Sequence, residues 1–305
     1  MIDLRRLQVL RAVHQHGTVT AAGHALHLTP SAVSQQLRAL SRELGISLLE
    51  QQGRRVHLTP AAHTLLRHAH ILAGQWEQAQ AELYAHADEI AGELGLCGFP
   101  TGVAELLAPA AARLQDEHPH LVVHVAEVET ADAFDLLLSG DTDLAVVQAS
   151  DCPPRGDARF DQLPLLDEPM DLLVPAGHPF AACRAVALAD AADQSWIVGV
   201  AGTSYHQHTL VACAAAGFTP AIAHHAKEWI SISALVAQGL GVALIPRLGD
   251  VPPAHAAVRV PLCGEPAPFR RMLTCVRHGS REQPAITRAL HILGDIASDL
   301  QQRVS

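Results

Sequence analysis

The sequence predicts an α-helical N-terminal domain closed by a small hairpin, one long linker helix, and an α/β body. Three observations point there. First, the formal net charge of −10 over 305 residues is unevenly divided: residues 1–60 hold seven arginines against three acids, net +4, and residues 61–305 hold 14 basic against 28 acidic side chains, net −14. Second, a capping hydroxyl followed by proline, the start signal of a helix, occurs at Thr29-Pro30 and again at Thr59-Pro60. Third, beyond residue 92 short apolar runs alternate with helix-period segments, the pattern of α/β units.

Composition narrows the function classes. Apolar content of 49% with 17% charge fits a soluble chain with a sizeable core. No apolar run reaches membrane-span length, and no apolar stretch follows Met-Ile-Asp-Leu-Arg-Arg as a signal peptide would need. The six cysteines are scattered without C-x-x-C, so neither a disulfide framework nor a zinc ribbon is expected, and a cytoplasmic protein with reduced thiols is. The overall acidity argues against a surface that coats nucleic acid, but a basic domain joined to an acidic one escapes that argument. Lys227 is the only lysine, which reads as compositional bias.

Leu4, Leu7, Leu10 and Val13 recur at helical spacing, so a first helix is expected over 4–15, ended by Gly17. Thr18 or Thr20 caps a short second helix to Leu26, His27-Leu28 makes the turn, and the third helix runs from Thr29-Pro30 to about Leu44 with Gly45 at its end. Val33, Leu37, Leu40 and Leu44 share one face of that helix; Ser31, Ser34, Gln35 and Arg38 share the other. Such a face suits a major groove, since Gln pairs with adenine, Ser serves either base type, and Arg meets guanine or phosphate. Taken alone it is also the polar face of an ordinary surface helix. The short turn between the second and third helices, and a hairpin over 51–58 with Gly53 at its tip beside Arg54 and Arg55, favour the groove reading: a helix-turn-helix with a wing.

The run from Leu4 to Ala62 closely resembles the winged helix-turn-helix of LysR-type transcriptional regulators. The resemblance rests on Ala21-Ala22, Leu26, Thr29-Pro30-Ser31-Ala32-Val33-Ser34, Leu40, Leu44-Gly45-x-x-Leu48, Gly53-Arg54 and Leu58-Thr59-Pro60, in order and without gaps. The chain departs from the pattern at Leu40-Ser41, where the family has Leu-Glu, at Leu49-Glu50-Gln51, where it has Phe-x-Arg, and at Ala62, where it has glycine. The missing arginine is expected to weaken nonspecific affinity rather than alter the fold. The resemblance implies that Thr18, Thr29, Pro30, Ser31, Ser34, Gln35, Arg38, Arg54 and Arg55 meet double-stranded promoter DNA.

Between Thr59 and Gly92 only Gly74 interrupts a helical pattern, with apolar residues at Ala62, Leu65, Ala69, Leu72, Trp76, Ala79, Leu83, Ala87 and Ile90. About 32 residues give a helix of ~48 Å. It packs either on its own domain or on a partner. The family resemblance implies a homodimer through it, commonly paired into tetramers. The expected division is 1–58 for DNA binding, 59–91 for the linker helix and 92–305 for the body.

In the body, strands are expected at 94–99, 121–128, 144–147, 170–174, 196–200, 221–225 and 242–245, helices at 103–114, 134–138, 205–216 and 231–238, and a loop at 100–102, with parallel-type crossovers. The phrases GDTDLAVV, DEPMDLLVPAGHPFA and ALVAQGLGVALIP resemble the effector-binding domain of the same family, which looks like a periplasmic binding protein. Two lobes are implied, ~93–165 with ~270–305 and ~166–269, enclosing a small-molecule effector. Ligands gather at strand ends and helix N-termini. Pro100, Thr101, Gly102, Val103, Gln148, Gly202, Thr203, Ser204 and Trp229 are therefore the candidate effector residues, although Thr101 and Thr203 are equally good helix caps and can be both. With no arginine in these stretches, a neutral or singly charged effector is favoured over a strongly anionic one.

Twenty histidines raise the question of a metal. In a helix, i and i+2 point apart, and no cysteine lies at ligand spacing, so neither metal nor cofactor is expected. Peroxide-sensing members of the family use two nearby cysteines in the second lobe; Cys213 lies near one such position, but the other holds Ser204, so no such disulfide is expected. Gly202-Thr203-Ser204 lacks the second glycine of a nucleophile elbow, and Gly239-Leu240-Gly241 lacks the third of a dinucleotide loop. The reading is a bacterial regulator and not an enzyme, with RNA polymerase as a further partner by resemblance. A ligand-binding enzyme leaves the basic N-terminus unexplained, and a nucleoid-coating protein would ignore small molecules.

Overall fold

The computed structural model describes residues 4–52, 55–84, 89–154, 156–265 and 267–304. At the N-terminus, α1 (Leu4–His16), α2 (Val19–Ala25) and α3 (Pro30–Leu44) pack around Leu10, Ala22, Val33, Leu37 and Leu40, all fully buried. The cap signals are used as the sequence suggests. The Thr18 and Thr29 hydroxyls accept from the Ala21 and Ala32 amides, each at 3.1 Å, satisfying first-turn donors. Gly45 ends α3 at φ 66°, a left-handed conformation that glycine adopts without penalty. Strands β1 (Leu49–Gln52) and β2 (Arg55–Leu58) pair antiparallel as the expected hairpin, with Leu49 opposite Leu58. Its tip, Gly53 and Arg54, lies outside the described residues.

Helix α4 runs Pro60–Tyr84, 25 residues and about 37 Å at 1.5 Å each. This is shorter than the expected 59–91: Glu89 and Ile90 are not helical, and Ile90 instead packs on the core of the body. The expected apolar stripe also divides. Ala62 and Ala69 are buried in the N-terminal core, whereas Leu72, Trp76 and Leu83 are 45%, 57% and 66% exposed. The cause is the N-terminal core, which takes Ala62, Leu65, Leu66 and Ala69 from the first turns of α4. Ala87 lies outside the described residues.

The body begins with β3 (Gly92–Gly98). A helical stretch follows: α5 (Pro100–Gly102), a π-turn (Val103–Leu107) and α6 (Ala108–Glu117). The expected loop at 100–102 is thus the first turn of a helix, with Pro100 at its first position, where the missing N–H costs nothing. Next come β4 (Leu121–Glu127), α7 (Thr130–Ser139), β5 (Leu144–Gln148), β6 (Phe160–Pro175), β7 (Val186–Ala187), β8 (Ser195–Val198), α8 (Ser204–Ala215), β9 (Ala221–His225), α9 (Trp229–Ala237), β10 (Ala243–Pro246), β11 (Ala257–Cys263), β12 (Phe269–Arg277) and α10 (Pro284–Val304).

The strand order β4-β3-β5-β12-β6-β11-β7, with β10 also on β6, makes one sheet with two halves. Residues 160–169 of β6 pair with β12, and residues 170–175 pair with β10 and β11. The expected boundary at 165/166 therefore falls inside a continuous strand. The expectation of parallel crossovers holds for β3 with β4 and β5 and for β8 with β9, but β12 runs antiparallel to both β5 and β6. Each half has its own core. Leu96, Leu106, Leu144 and Met272 lie under α10 in the first; Leu172, Trp196, Val198 and Leu244 lie in the second.

Helix α4 docks on the first half through Arg277. Its guanidinium bonds Glu77 of α4 at 2.8 Å and Asp143 at 2.9 Å, and donates to the Leu137 and Thr142 carbonyls. Gln283 holds the other Glu77 oxygen at 2.9 Å. Gly74 and Gly279 let the backbones touch: a Cβ on Gly279 would collide with the Gly74 carbonyl oxygen.

His70 of α4 sits at this junction. Burial, reinforced by Arg11 and Arg159, pulls its pKa from 6.5 down to about 4. The unfolded chain takes up this proton at a pH where the folded chain refuses it, so stability declines as pH falls from about 6.5 toward about 4. Melting temperature followed over that range should fall less steeply in His70→Gln than in the parent.

Candidate functional site

Two surfaces gather the residues singled out above. The first is the outer face of α3. Ser31, Gln35 and Arg38 are exposed and Ser34 is half-buried, opposite the buried Val33, Leu37 and Leu40. With Pro30, Ser47 and Glu50 they border an open groove between α3 and the hairpin. The α2–α3 turn that sets this face depends on Gly23, whose missing Cβ would stand 2.8 Å from the Leu28 carbonyl, and on His27 at φ 51°. Both escape a sequence reading that looks to Ala21-Ala22 for the close approach. Of the seven N-terminal arginines, Arg6 ties α1 to Gln36 and Glu43 of α3, and Arg11 turns toward the body. The basic charge available to a phosphate backbone is correspondingly smaller than the count suggests. Arg55 lies in β2; Arg54 lies outside the described residues.

The second surface is a cavity of about 80 Å³ between the halves of the body. It brings together Pro100, Thr101, Gln148, Thr203, Ser204 and Trp229 from segments far apart in the chain. Thr101 is 6% exposed, and its hydroxyl has no hydrogen-bond partner among the described residues. Thr203 caps α8, accepting from the His206 amide at 3.3 Å and donating to the Val200 carbonyl at 2.7 Å. Gly102 and Val103 stand behind the wall against Val146 and the first core, and Gly202 turns outside it at φ 90°. These three do not line the cavity.

The lining also holds residues that sequence reasoning missed: Phe99, Glu129, Tyr205, Lys227, Glu228 and Arg270. Trp229 meets Tyr205 edge-on at 4.8 Å, and burial pushes the Tyr205 phenol upward while it donates to the Leu244 carbonyl at 2.7 Å. Arg270 reaches the cavity from β12, outside the arginine-free stretches that the sequence singles out. Its charge, however, is already matched: it bonds Glu168 at 2.6 and 2.9 Å and lies 4.9 Å over the Phe99 ring. Lys227 likewise pairs with Glu129 at 2.7 Å. Both lining cations are thus already paired and Glu228 adds a further carboxylate, so among the described residues the lining offers a strongly anionic ligand no unmatched cation.

Two contacts clasp the halves across this cavity, Lys227 to Glu129 and the Ser204 hydroxyl to Asp151. The start of α8 fits closely because Gly199 lies beneath it: a Cβ there would meet the His206 nitrogen at 2.6 Å. The Gly199 carbonyl receives Nδ1 of both His206 (2.9 Å) and His225 (3.0 Å), which fixes those nitrogens as donors. Cys213, further along α8, is buried, and burial pushes its thiol up to about 12.

Comparison with known proteins places two family models on the chain. Residues 4–63 match the model of the bacterial regulatory helix-turn-helix proteins of the lysR family, and residues 87–297 match the LysR substrate binding domain. The chain belongs to the LysR family of transcriptional regulators. It is 29% identical over 299 residues to a probable hydrogen peroxide-inducible genes activator of Mycobacterium avium, covering 97% of this chain and 94% of that one. It is 28% identical over 285 residues to the DNA-binding transcriptional dual regulator OxyR of Escherichia coli, covering 92% and 90%. Its fold resembles that of a full-length OxyR variant from Pseudomonas aeruginosa, with a TM-score of 0.67 at 23% identity over 97% of this chain and 95% of that chain. LysR regulators bind DNA and small molecules and oligomerise. No described helix of this member is long and apolar enough to cross a membrane.

Breaking the Arg270–Glu168 pair from one side leaves a charge buried without its partner, which costs about 3 kcal/mol. Arg270→Met should shift the denaturant midpoint accordingly, and the double substitution Arg270→Met, Glu168→Leu should recover most of the loss.

Proposed function

We propose that this LysR regulator reads promoter DNA with Ser31, Ser34, Gln35 and Arg38 of α3, anchors to phosphates through Thr18, Thr29 and the wing arginines Arg54 and Arg55 with Pro30 packing against the DNA backbone, and answers to a small molecule held between the halves of the body. The observation that carries the reading is the exposed Gln35–Arg38 face on a capped, well-packed helix of a basic domain. Residues 1–58 bind DNA, 59–91 join two subunits, and 92–305 hold the effector. The exposed Leu72, Trp76 and Leu83 on α4 are the pairing surface, and two such subunits, or four, present α3 in pairs one helical turn of DNA apart. Closure of the cleft shifts how the subunits sit and so how the DNA is bent before RNA polymerase. The setting is the cytoplasm.

The effector is small and neutral or singly charged, in keeping with a cleft whose two cations already have carboxylate partners. Thr101, with its unpartnered hydroxyl, and Trp229 are its main contacts. Relatives named as hydrogen peroxide-inducible suggest an alternative route through thiols. We favour a ligand instead, because Cys213 is buried and hard to ionise and residue 204 is serine.

A gel shift on the region upstream of the protein's own gene tests the DNA reading. Binding should weaken steeply with salt, and Gln35→Ala should lose about 2 kcal/mol of discrimination against a scrambled site. Absent or salt-insensitive binding would refute it; equal binding to every sequence would favour a nucleoid-coating role. A metabolite screen by thermal shift tests the cleft: a stabilising hit should lose its effect in Thr101→Val. A hit that stabilises Thr101→Val equally lies elsewhere.

A further inference from the structure

We propose that the junction between the DNA-binding domain and the body is a second ligand site, which takes a small carboxylate with a flat apolar body. A cavity of about 290 Å³ opens there between α1, α4 and the first half of the body, near the lower size of ligand pockets. Three arginines line it, and two are matched. Arg159 bonds Asp157 at 2.6 Å, and Arg277 bonds Glu77 and Asp143. His278 at its edge bonds Asp161 at 2.9 Å. Arg11 differs: it is half-buried, faces the same cavity, and has neither hydrogen bond nor ion pair among the described residues. A guanidinium withdrawn from water without a counter-ion is costly, and the nearby Arg159 and Arg277 add repulsion that Glu77 only partly offsets. Those same features pull its pKa below the usual arginine value. A carboxylate presents two oxygens in the geometry of the guanidinium fork, supplies the missing counter-ion and offsets the repulsion from Arg159 and Arg277.

One side of the wall is apolar, with Leu7 of α1, Leu72 and Trp76 of α4, and Leu138 of the body, while Gln8, His70, Glu77, Gln80 and Ser139 make the rest polar; Leu72 and Trp76 are shared with the pairing surface, so a partner subunit would border the same cavity. The apolar side favours an aryl or alkyl acid over inorganic phosphate. Arg11 belongs to the DNA-binding domain, and Arg159 and Arg277 belong to the body. A bound acid would therefore touch both and bias their arrangement, as any ligand does that prefers one of two states. This site is separate from the cleft at Thr101, and the inference stands or falls without it.

The probe is phenylacetate, titrated calorimetrically into the full chain, with phenylacetamide as its uncharged counterpart. We expect saturable binding of the acid, at least about tenfold weaker binding of the amide, and a similar loss in Arg11→Gln, reflecting one charge-assisted contact. Arg11→Lys should retain part of the affinity and Thr101→Val all of it. If Arg11→Gln melts early, the acid–amide ratio and Arg11→Lys still decide. Equal binding of acid and amide, unchanged binding in Arg11→Gln, loss in Thr101→Val, or no saturable binding each overturns the proposal.

Discussion

The ion pair between Arg270 and Glu168 stands where the two halves of the body share strands. Glu168 lies near the point at which β6 stops pairing with β12 and begins pairing with β10 and β11, and Arg270 lies near the start of β12. Glu168 spends its second oxygen on the Leu248 amide at 2.5 Å, in the segment after β10. One carboxylate thus binds both crossing strands and the second half together, while its arginine floors the cleft under Phe99. Burial works against the arginine's charge and Glu168 works for it. The pair is a poor source of net stability, because removing two charges from water costs about what their attraction returns. What it supplies is register: neither strand can slide without stranding a charge.

Arg277, at the far end of β12, plays the corresponding part toward α4. It joins Glu77 to Asp143, so a displacement of the first half is felt by the helix that leads to the DNA-binding domain. The two arginines bracket one strand, with the cleft at one end and the linker helix at the other. A mechanical link between the cleft and the linker helix therefore needs no long chain of contacts. The glycine pair at 74 and 279 removes side chains from that joint, so backbones rather than rotamers set its angle.

The DNA-binding domain was legible in local signals. Caps at Thr18 and Thr29, a terminating Gly45 and a 3.6-residue apolar stripe act within a few residues of one another, and the chain obeys them. The cleft was half legible. Thr101, Thr203 and Trp229 announce themselves at helix starts, but Arg270 enters from a strand far along the chain, and no local pattern marks it. Strands β11 and β12 and helix α10 went unassigned. Helix α10 carried a readable stripe in Ile286, Ala289, Leu293, Ala297 and Leu300, whereas β12 pairs on both sides and so lacks alternation. The fate of the α4 stripe depended on how far the N-terminal core reaches along it, a tertiary fact.

The solitary lysine has a meaning that composition alone hides. A chain with 20 arginines and one lysine has a single ε-amine, and Lys227 holds it at the mouth of the cleft, clasped to Glu129 of the opposite half. Guanidinium groups are unreactive toward acylating agents under mild conditions, while an ε-amine, being less basic, reacts through its small neutral fraction. The regulator thus bears one side-chain amine open to acylation, held by a carboxylate from the opposite half of the body.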